Sequence, residues 1–248
     1  LEDEKFASKR IAVAHPLNNA IKSIAERVAE ELKDLEIPVH YVDDQTLTNS
    51  IDTRIIFFSH NTMIQEIIRD PYLNEYSVVI VDEAHERLIP TDILIALLKG
   101  VQERNPELRV VICSATLQAN VFQEYMKCPR LGFSGISYPI EYQYIGTLRE
   151  NKKSNKNLLE LFQKEMKKLK NGEETYFGGN VMIFVSRTKD IQELIQQLTP
   201  ICGDYYVILS YHGSLSHNDQ KKIFESYSRP KLIIFTRIGQ TAITINDL

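Results

Sequence analysis

Val78-Val-Ile-Val-Asp-Glu-Ala-His-Glu-Arg87 decides how the rest of the chain is read. Four apolar residues in succession are too continuous for a half-exposed strand, and they end abruptly in two carboxylates. Such a run predicts a strand buried on both faces of a parallel sheet. Six further runs share the character: Ile11-Ala-Val-Ala14, Ile55-Ile-Phe-Phe58, Val110-Val-Ile-Cys113, Val181-Met-Ile-Phe-Val185, Val207-Ile-Leu209 and Leu232-Ile-Ile-Phe235. Between them lie helical spacings, among them Ile21, Ile24, Ala25, Val28 and Leu32, then Ile93, Leu94, Leu97 and Leu98, then Ile191, Leu194, Ile195 and Leu198. Strand and helix in alternation predict an α/β fold with mainly parallel sheets flanked by helices.

Each run gives way to polar residues: His15, Ser59-His60, Asp82-Glu83, Ser114 and Thr116, Ser186-Arg187, His212, and Thr236-Arg237. Any single strand must end in something polar as it leaves a core. Seven in succession point to a site, because open parallel sheets bind ligands at the carboxyl ends of their strands.

Composition bounds the reading. The 248 residues are 43% hydrophobic, with 29 basic against 33 acidic side chains and a net charge of -4. That excludes a disordered or fibrous chain and allows one large domain or two small ones. No apolar run approaches the roughly 18 residues that cross a bilayer, and the acidic Leu1-Glu2-Asp3-Glu4 does not resemble a signal peptide, so no membrane role is expected. Cys113, Cys128 and Cys202 lack zinc spacing and predict free thiols in a reducing compartment, nucleus or cytoplasm, with no structural metal. The two halves differ in charge: residues 1–145 carry 14 basic and 22 acidic residues, and residues 146–248 carry 15 and 11. An acidic part joined to a basic one neither supports nor excludes a nucleic-acid partner. Residues 149–170, with eight basic and three acidic side chains, predict a solvated linker running into an amphipathic helix through Leu158, Leu159, Phe162, Met166 and Leu169. The expected organisation is a first domain over 1–146, a linker over 147–156 and a second domain over 157–248.

The chemistry rests on Asp82 and Glu83. Adjacent carboxylates at a strand end suit a magnesium ion, one holding the metal through its water shell while the other orients and deprotonates an attacking water. An Asp-Glu pair alone is ordinarily surface charge. The buried strand before it, His85 three residues on, and a second strand ending in Ser114-Ala-Thr116 give it weight.

Asp82-Glu83-Ala84-His85 together with Ser114-Ala115-Thr116 resembles motifs II and III of the DEAH-box RNA helicases of superfamily 2. The resemblance continues from Asp70-Pro-Tyr-Leu through Thr91-Asp92-Ile-Leu to Leu117 and Phe122, reaches Tyr138-Pro139, and extends more weakly to Ile183-Phe-Val-Ser-Arg187 and to Thr236 through Ile245. It implies two RecA-like domains and ATP hydrolysis with magnesium, coupled to movement along RNA within an RNA–protein assembly. By the same resemblance Asp82 holds magnesium and Glu83 activates water, while His85, Ser114 and Thr116 relay the nucleotide state. Thr241, Thr244 and Asn246 would face nucleotide from the second domain. RNA would be contacted by His15, Pro16, Asn18, Ser59, His60, Asn61, Ser186, Arg187, Thr236 and Arg237.

The chain also departs from that family. A Gly-x-x-x-x-Gly-Lys-Ser/Thr phosphate loop is expected upstream of the Asp-Glu strand, yet the ten glycines begin at Gly100, and the arginine-rich motif VI does not occur before Leu248. Where relatives read Thr-Gln-Pro-Arg-Arg this chain has Ala14-His15-Pro16-Leu17-Asn18, without two guanidinium groups suited to gripping phosphates. Ser59-His60-Asn61 stands for Thr-Asp-Gly. Thr236-Arg-Ile-Gly-Gln-Thr-Ala242 stands for Thr-Asn-Ile-Ala-Glu-Thr-Ser, and Asn246 for an Asp. Two accounts fit: a working helicase whose phosphate loop and motif VI lie outside these residues, or a helicase-derived scaffold that kept the fold and lost the motor. Other classes fit less well. His85-Glu86 is followed by Ile at 89, against a His-Glu-x-x-His protease; Ser134 lacks the strand and spacing of a hydrolase elbow; no Gly-x-Gly-x-x-Gly occurs; and the twelve tyrosines form no periodic stacking platform.

Overall fold

A computed structural model describes residues 9–42, 52–115, 119–133, 140–143 and 153–236. The chain divides into two compact units, Leu1–Ser134 and Gly135–Leu248. The boundary expected near residue 147 lies outside the described residues. Of the expected linker, 147–152 is likewise outside them, while 153–156 belongs to the first helix of the second unit.

In the first unit five strands run in the order β2-β3-β1-β4-β5, every neighbouring pair parallel. They are β1 (Arg10–His15), β2 (Val39–Tyr41), β3 (Ile55–Ser59), β4 (Tyr76–Val81) and β5 (Arg109–Ile112). Helices α1 (Asn18–Glu31), α2 (His60–Arg69) and α3 (Ile89–Arg104) connect them, and α4 (Ala119–Met126) comes after β5. Side chains of a strand alternate between faces, and β3 shows why such a strand reads as a continuous apolar run. Ile56 and Phe58 join Met63 and Ile67 of α2 and Leu94, Leu98 and Val101 of α3 on one face. Ile55 and Phe57 pack with Ile21 and Ala25 of α1 on the other.

Two features differ from the sequence expectation. The strand β2 has no apolar run; Val39-His40-Tyr41 is three residues long at the sheet edge, too short for a periodicity to register. The run Val110–Cys113 is expected to be buried on both faces, yet β5, the outer strand among the described residues, alternates and Val111 is 44% exposed, so one of its faces is uncovered by described residues. Ile93 likewise points outward from α3 while Leu94 and Leu98 are buried.

In the second unit β6 (Val181–Phe184), β7 (Val207–Tyr211) and β8 (Lys231–Phe235) form a parallel sheet in the order β6-β8-β7. Every residue of the central β8 is buried. Leu232 and Ile234 meet Phe162 and Met166 of α5 (Lys153–Lys170) and Ile191, Leu194 and Leu198 of α6 (Thr188–Cys202). Ile233 and Phe235 pack on the other face with Tyr211 and Ile223; α7 (His217–Lys221) comes after β7. Among the described residues no helix is long and apolar enough to cross a membrane.

Candidate functional site

Register brings the polar strand ends of the first unit level. Ala14 lies opposite Val81, Val81 opposite Ile112, and His15 opposite Ser59. The ladder continues one residue into the loops: Asp82 N–H donates to the Ala14 carbonyl at 2.8 Å, Cys113 N–H to the Val81 carbonyl at 2.8 Å, and Ala84 N–H to the Cys113 carbonyl at 2.9 Å. The backbone around the two carboxylates is therefore held by both neighbouring strands rather than hanging from the end of one.

Beyond Asp82 the chain turns sharply. Glu83 (φ 51°) and Arg87 (φ 49°) both adopt the left-handed conformation, flanking a single 3-10 turn over Ala84–Glu86. Each such residue with a Cβ costs about 1–2 kcal/mol, and strain of this kind gathers at functional sites. Two devices hold the turn. Asp82 Oδ1 accepts the Glu83 N–H at 2.9 Å. The Arg87 guanidinium forks onto both oxygens of Asp92 at 2.8 and 3.0 Å and lies 5.6 Å from the Phe122 ring centroid.

The turn aims Glu83 at His85, whose Nε2 lies 3.2 Å from Glu83 Oε2. His85 Nδ1 accepts the Ala115 N–H at 3.3 Å, so the loop after β5 is coupled to the acid through one imidazole. Burial raises the proton affinity of Glu83, the Asp82 charge adds to it, and His85 opposes it. A carboxylate shifted upward is a better proton acceptor at neutral pH. Ser114, in the loop that His85 touches, has a buried hydroxyl with no hydrogen-bond partner among the described residues. Thr116 lies outside the described residues.

The residues expected on the RNA side divide by burial. His60 is 2% exposed: its ring bridges the Thr91 hydroxyl at 2.9 Å and the Ala14 carbonyl at 3.2 Å. This network places the proton on Nε2, and burial pushes the pKa down to about 4. Ser59 caps α2 by accepting the Thr62 N–H at 2.9 Å. Asn61 is exposed and Pro16 half-buried, whereas nothing is described of the Asn18 side chain. In the second unit Ser186 is exposed, Arg187 forks onto Asp190 at 2.8 and 3.2 Å, and Thr236 is buried. Arg237, Thr241, Thr244 and Asn246 lie outside the described residues. Thr91, read in the sequence only as part of the family resemblance, is shown by its burial in the first turn of α3 and its bond to His60 to belong beside the site.

His15 is 1% exposed at the end of β1. Burial lowers its pKa, against the Asp82 charge and a bond to Leu17. One ligand atom from each of His15, Asp82 and Glu83 lies within 4.8 Å of the others. These donors fit a divalent cation, and among the described residues they are the group of three that does.

Comparison with known proteins gives the family. Residues 1–124 match the model of the DEAD/DEAH box helicase family and residues 155–248 that of the helicase conserved C-terminal domain. The pre-mRNA-splicing factor ATP-dependent RNA helicase prp22 of Schizosaccharomyces pombe is 31% identical over 97% of this chain, which spans 21% of that relative. The ATP-dependent RNA helicase HrpA of Escherichia coli is 27% identical over 95% of the chain, spanning 18% of that relative. A probable ATP-dependent RNA helicase DHX35 of Homo sapiens is 28% identical over 96%, spanning 36%. The crystal structure of the Escherichia coli DEAH/RHA helicase HrpB superposes with a TM-score of 0.79 at 26% identity, over 97% of this chain and 30% of that one.

Proposed function

Given that the chain belongs to the DEAD/DEAH box helicase family, we propose that its two RecA-like units form part of an ATP-dependent RNA helicase that remodels RNA or RNA–protein complexes. The observation that carries the reading is the Glu83–His85–Ala115 connection, an acid of raised proton affinity tied to the neighbouring strand's loop. Asp82, with its backbone held between β1 and β5, presents a carboxylate to magnesium. When bound, that ion would neutralise phosphate charge and fix the phosphates in place. Glu83 Oε2 accepts the proton of the attacking water. His85 restrains that carboxylate from one side and holds Ala115 N–H from the other, so a shift at Glu83 on hydrolysis is transmitted to the Ser114–Thr116 segment. RNA would lie on the exposed strand-end residues, Asn61 in the first unit and Ser186 in the second.

The test uses the full protein that carries this chain. ATP turnover with magnesium should rise when RNA is added, and Glu83→Gln should retain nucleotide binding while turnover disappears. An inactive wild type under those conditions sinks the proposal. A scaffold reading draws on one specific feature, Leu17-Asn18 where the motif that this stretch resembles has two arginines. It expects assembly with protein partners that is insensitive to salt, whereas RNA held by phosphate contacts weakens steeply with salt.

A further inference from the structure

Three histidines converge on the sheet end at Asp82, and two are fully occupied. His60 uses both ring nitrogens, on Thr91 and Ala14, and His85 uses both, on Ala115 and Glu83. His15 is different: its Nε2 is buried and has no hydrogen-bond partner among the described residues. An unpaired buried ring nitrogen costs about 1–3 kcal/mol, so its persistence at the strand end asks for a ligand.

We infer that His15 Nε2, Asp82 and Glu83 form a three-ligand site for a borderline divalent cation, of the Mn²⁺, Co²⁺ or Zn²⁺ kind, that fills without nucleotide. Three observations support the assignment. One ligand atom from each of the three residues, a ring nitrogen in the case of His15, already lies within 4.8 Å of the others. Three ligands about 2.1 Å from one ion lie roughly 3–4 Å apart, so a closure of about an ångström suffices. Leu17 offers Nδ1 both its N–H at 3.1 Å and its carbonyl at 3.4 Å. With the proton on Nδ1, donated to that carbonyl, Nε2 keeps a free lone pair; a backbone carbonyl orienting the far nitrogen is the usual support of a metal-binding histidine. Finally, an imidazole added to two carboxylates moves a site away from magnesium, which takes oxygen donors, towards cations that accept nitrogen.

The same carboxylates serve the helicase reading, but the assignment rests on His15 and is read without nucleotide, so either can fail while the other stands. Chelator-treated full protein is titrated with Mn²⁺ and then with Mg²⁺ as competitor, and the bound Mn²⁺ is probed by pulsed electron paramagnetic resonance for coupling to a directly bonded nitrogen. One Mn²⁺ should bind with nitrogen coupling, in preference to Mg²⁺ by about tenfold or more. His15→Gln should lose the coupling and most of the preference, by roughly 10-fold or more, while His85→Gln keeps both. Wild-type Mn²⁺ without nitrogen coupling overturns the assignment whatever the variants do, as does coupling that survives in His15→Gln or vanishes in His85→Gln.

Discussion

Acidification should unfold the first unit through His60. Its ring is 2% exposed and tied at both nitrogens, with a pKa lowered to about 4 from 6.5 by burial. A base whose folded pKa is depressed binds its proton more readily in the unfolded chain, so stability is complete above about pH 6.5 and is lost as pH falls towards 4. At 1.36 kcal/mol per pH unit the loss amounts to about 3 kcal/mol, a large share of the 5–15 kcal/mol typical of a domain. Urea denaturation of wild type and His60→Gln, measured from about pH 7.5 to about 4.5, isolates it. Glutamine can still donate to the Ala14 carbonyl and accept from Thr91 but cannot titrate, and the losses from other groups are shared by both proteins. Wild type should be the more stable at neutral pH and the less stable at about pH 4.5, the difference changing by about 2–3 kcal/mol. Parallel stability curves, or a His60 resonance titrating near its ordinary value, would refute the reasoning.

Glu83 carries the opposite sign: burial and the Asp82 charge raise its folded pKa, so ionising it destabilises the fold above that pKa and the penalty vanishes below its ordinary value. Glu83→Gln should therefore melt higher than wild type at pH 7 and converge with it in acid, measured by circular dichroism. Leu98 is fully buried between α3 and the sheet; Leu98→Ala should cost about 2–5 kcal/mol in chemical denaturation. In the second unit Lys231, 4% exposed, places its ammonium on the carbonyls of Ile223 and Glu225 at 3.1 and 3.3 Å. Lys231→Met strands both and should lose about 1–3 kcal/mol; unchanged stability would mean those carbonyls are satisfied elsewhere.

Strands covered on both faces declare themselves in a sequence, because every residue must be apolar; Ile55-Ile-Phe-Phe58 and Leu232-Ile-Ile-Phe235 are legible for that reason. Edge strands do not, and both Val39–Tyr41 and the outward face of Arg109–Ile112 escape that logic. The site divides in a similar way. Asp82 and Glu83 are readable because a buried run rarely ends in two adjacent carboxylates unless they have chemistry to perform. His15 and His60 could be placed at strand ends but not oriented, since whether such a ring turns in or out depends on partners far away in sequence. For His60 one is Thr91, 31 residues on; for His15 it is the Asp82 carboxylate, although the ring also bonds its near neighbour Leu17. The left-handed turn at Glu83 has no signature either, as neither Gly nor Asn marks it.

The order of strands in the first sheet also sets a timetable for synthesis. β1 is made before both of its neighbours: Ile11 pairs with Ile55 and Val78, and Ala14 with Phe58 and Val81. At roughly 5–20 residues per second of translation, the Ile11–Ala14 segment waits on the order of several seconds before its second partner exists. Non-local pairing of this kind is slow to close and exposed to aggregation while it waits. During synthesis the central strand is therefore unsheltered for that interval, and the order of strands along the chain, not the finished packing, sets how long its apolar residues stay exposed.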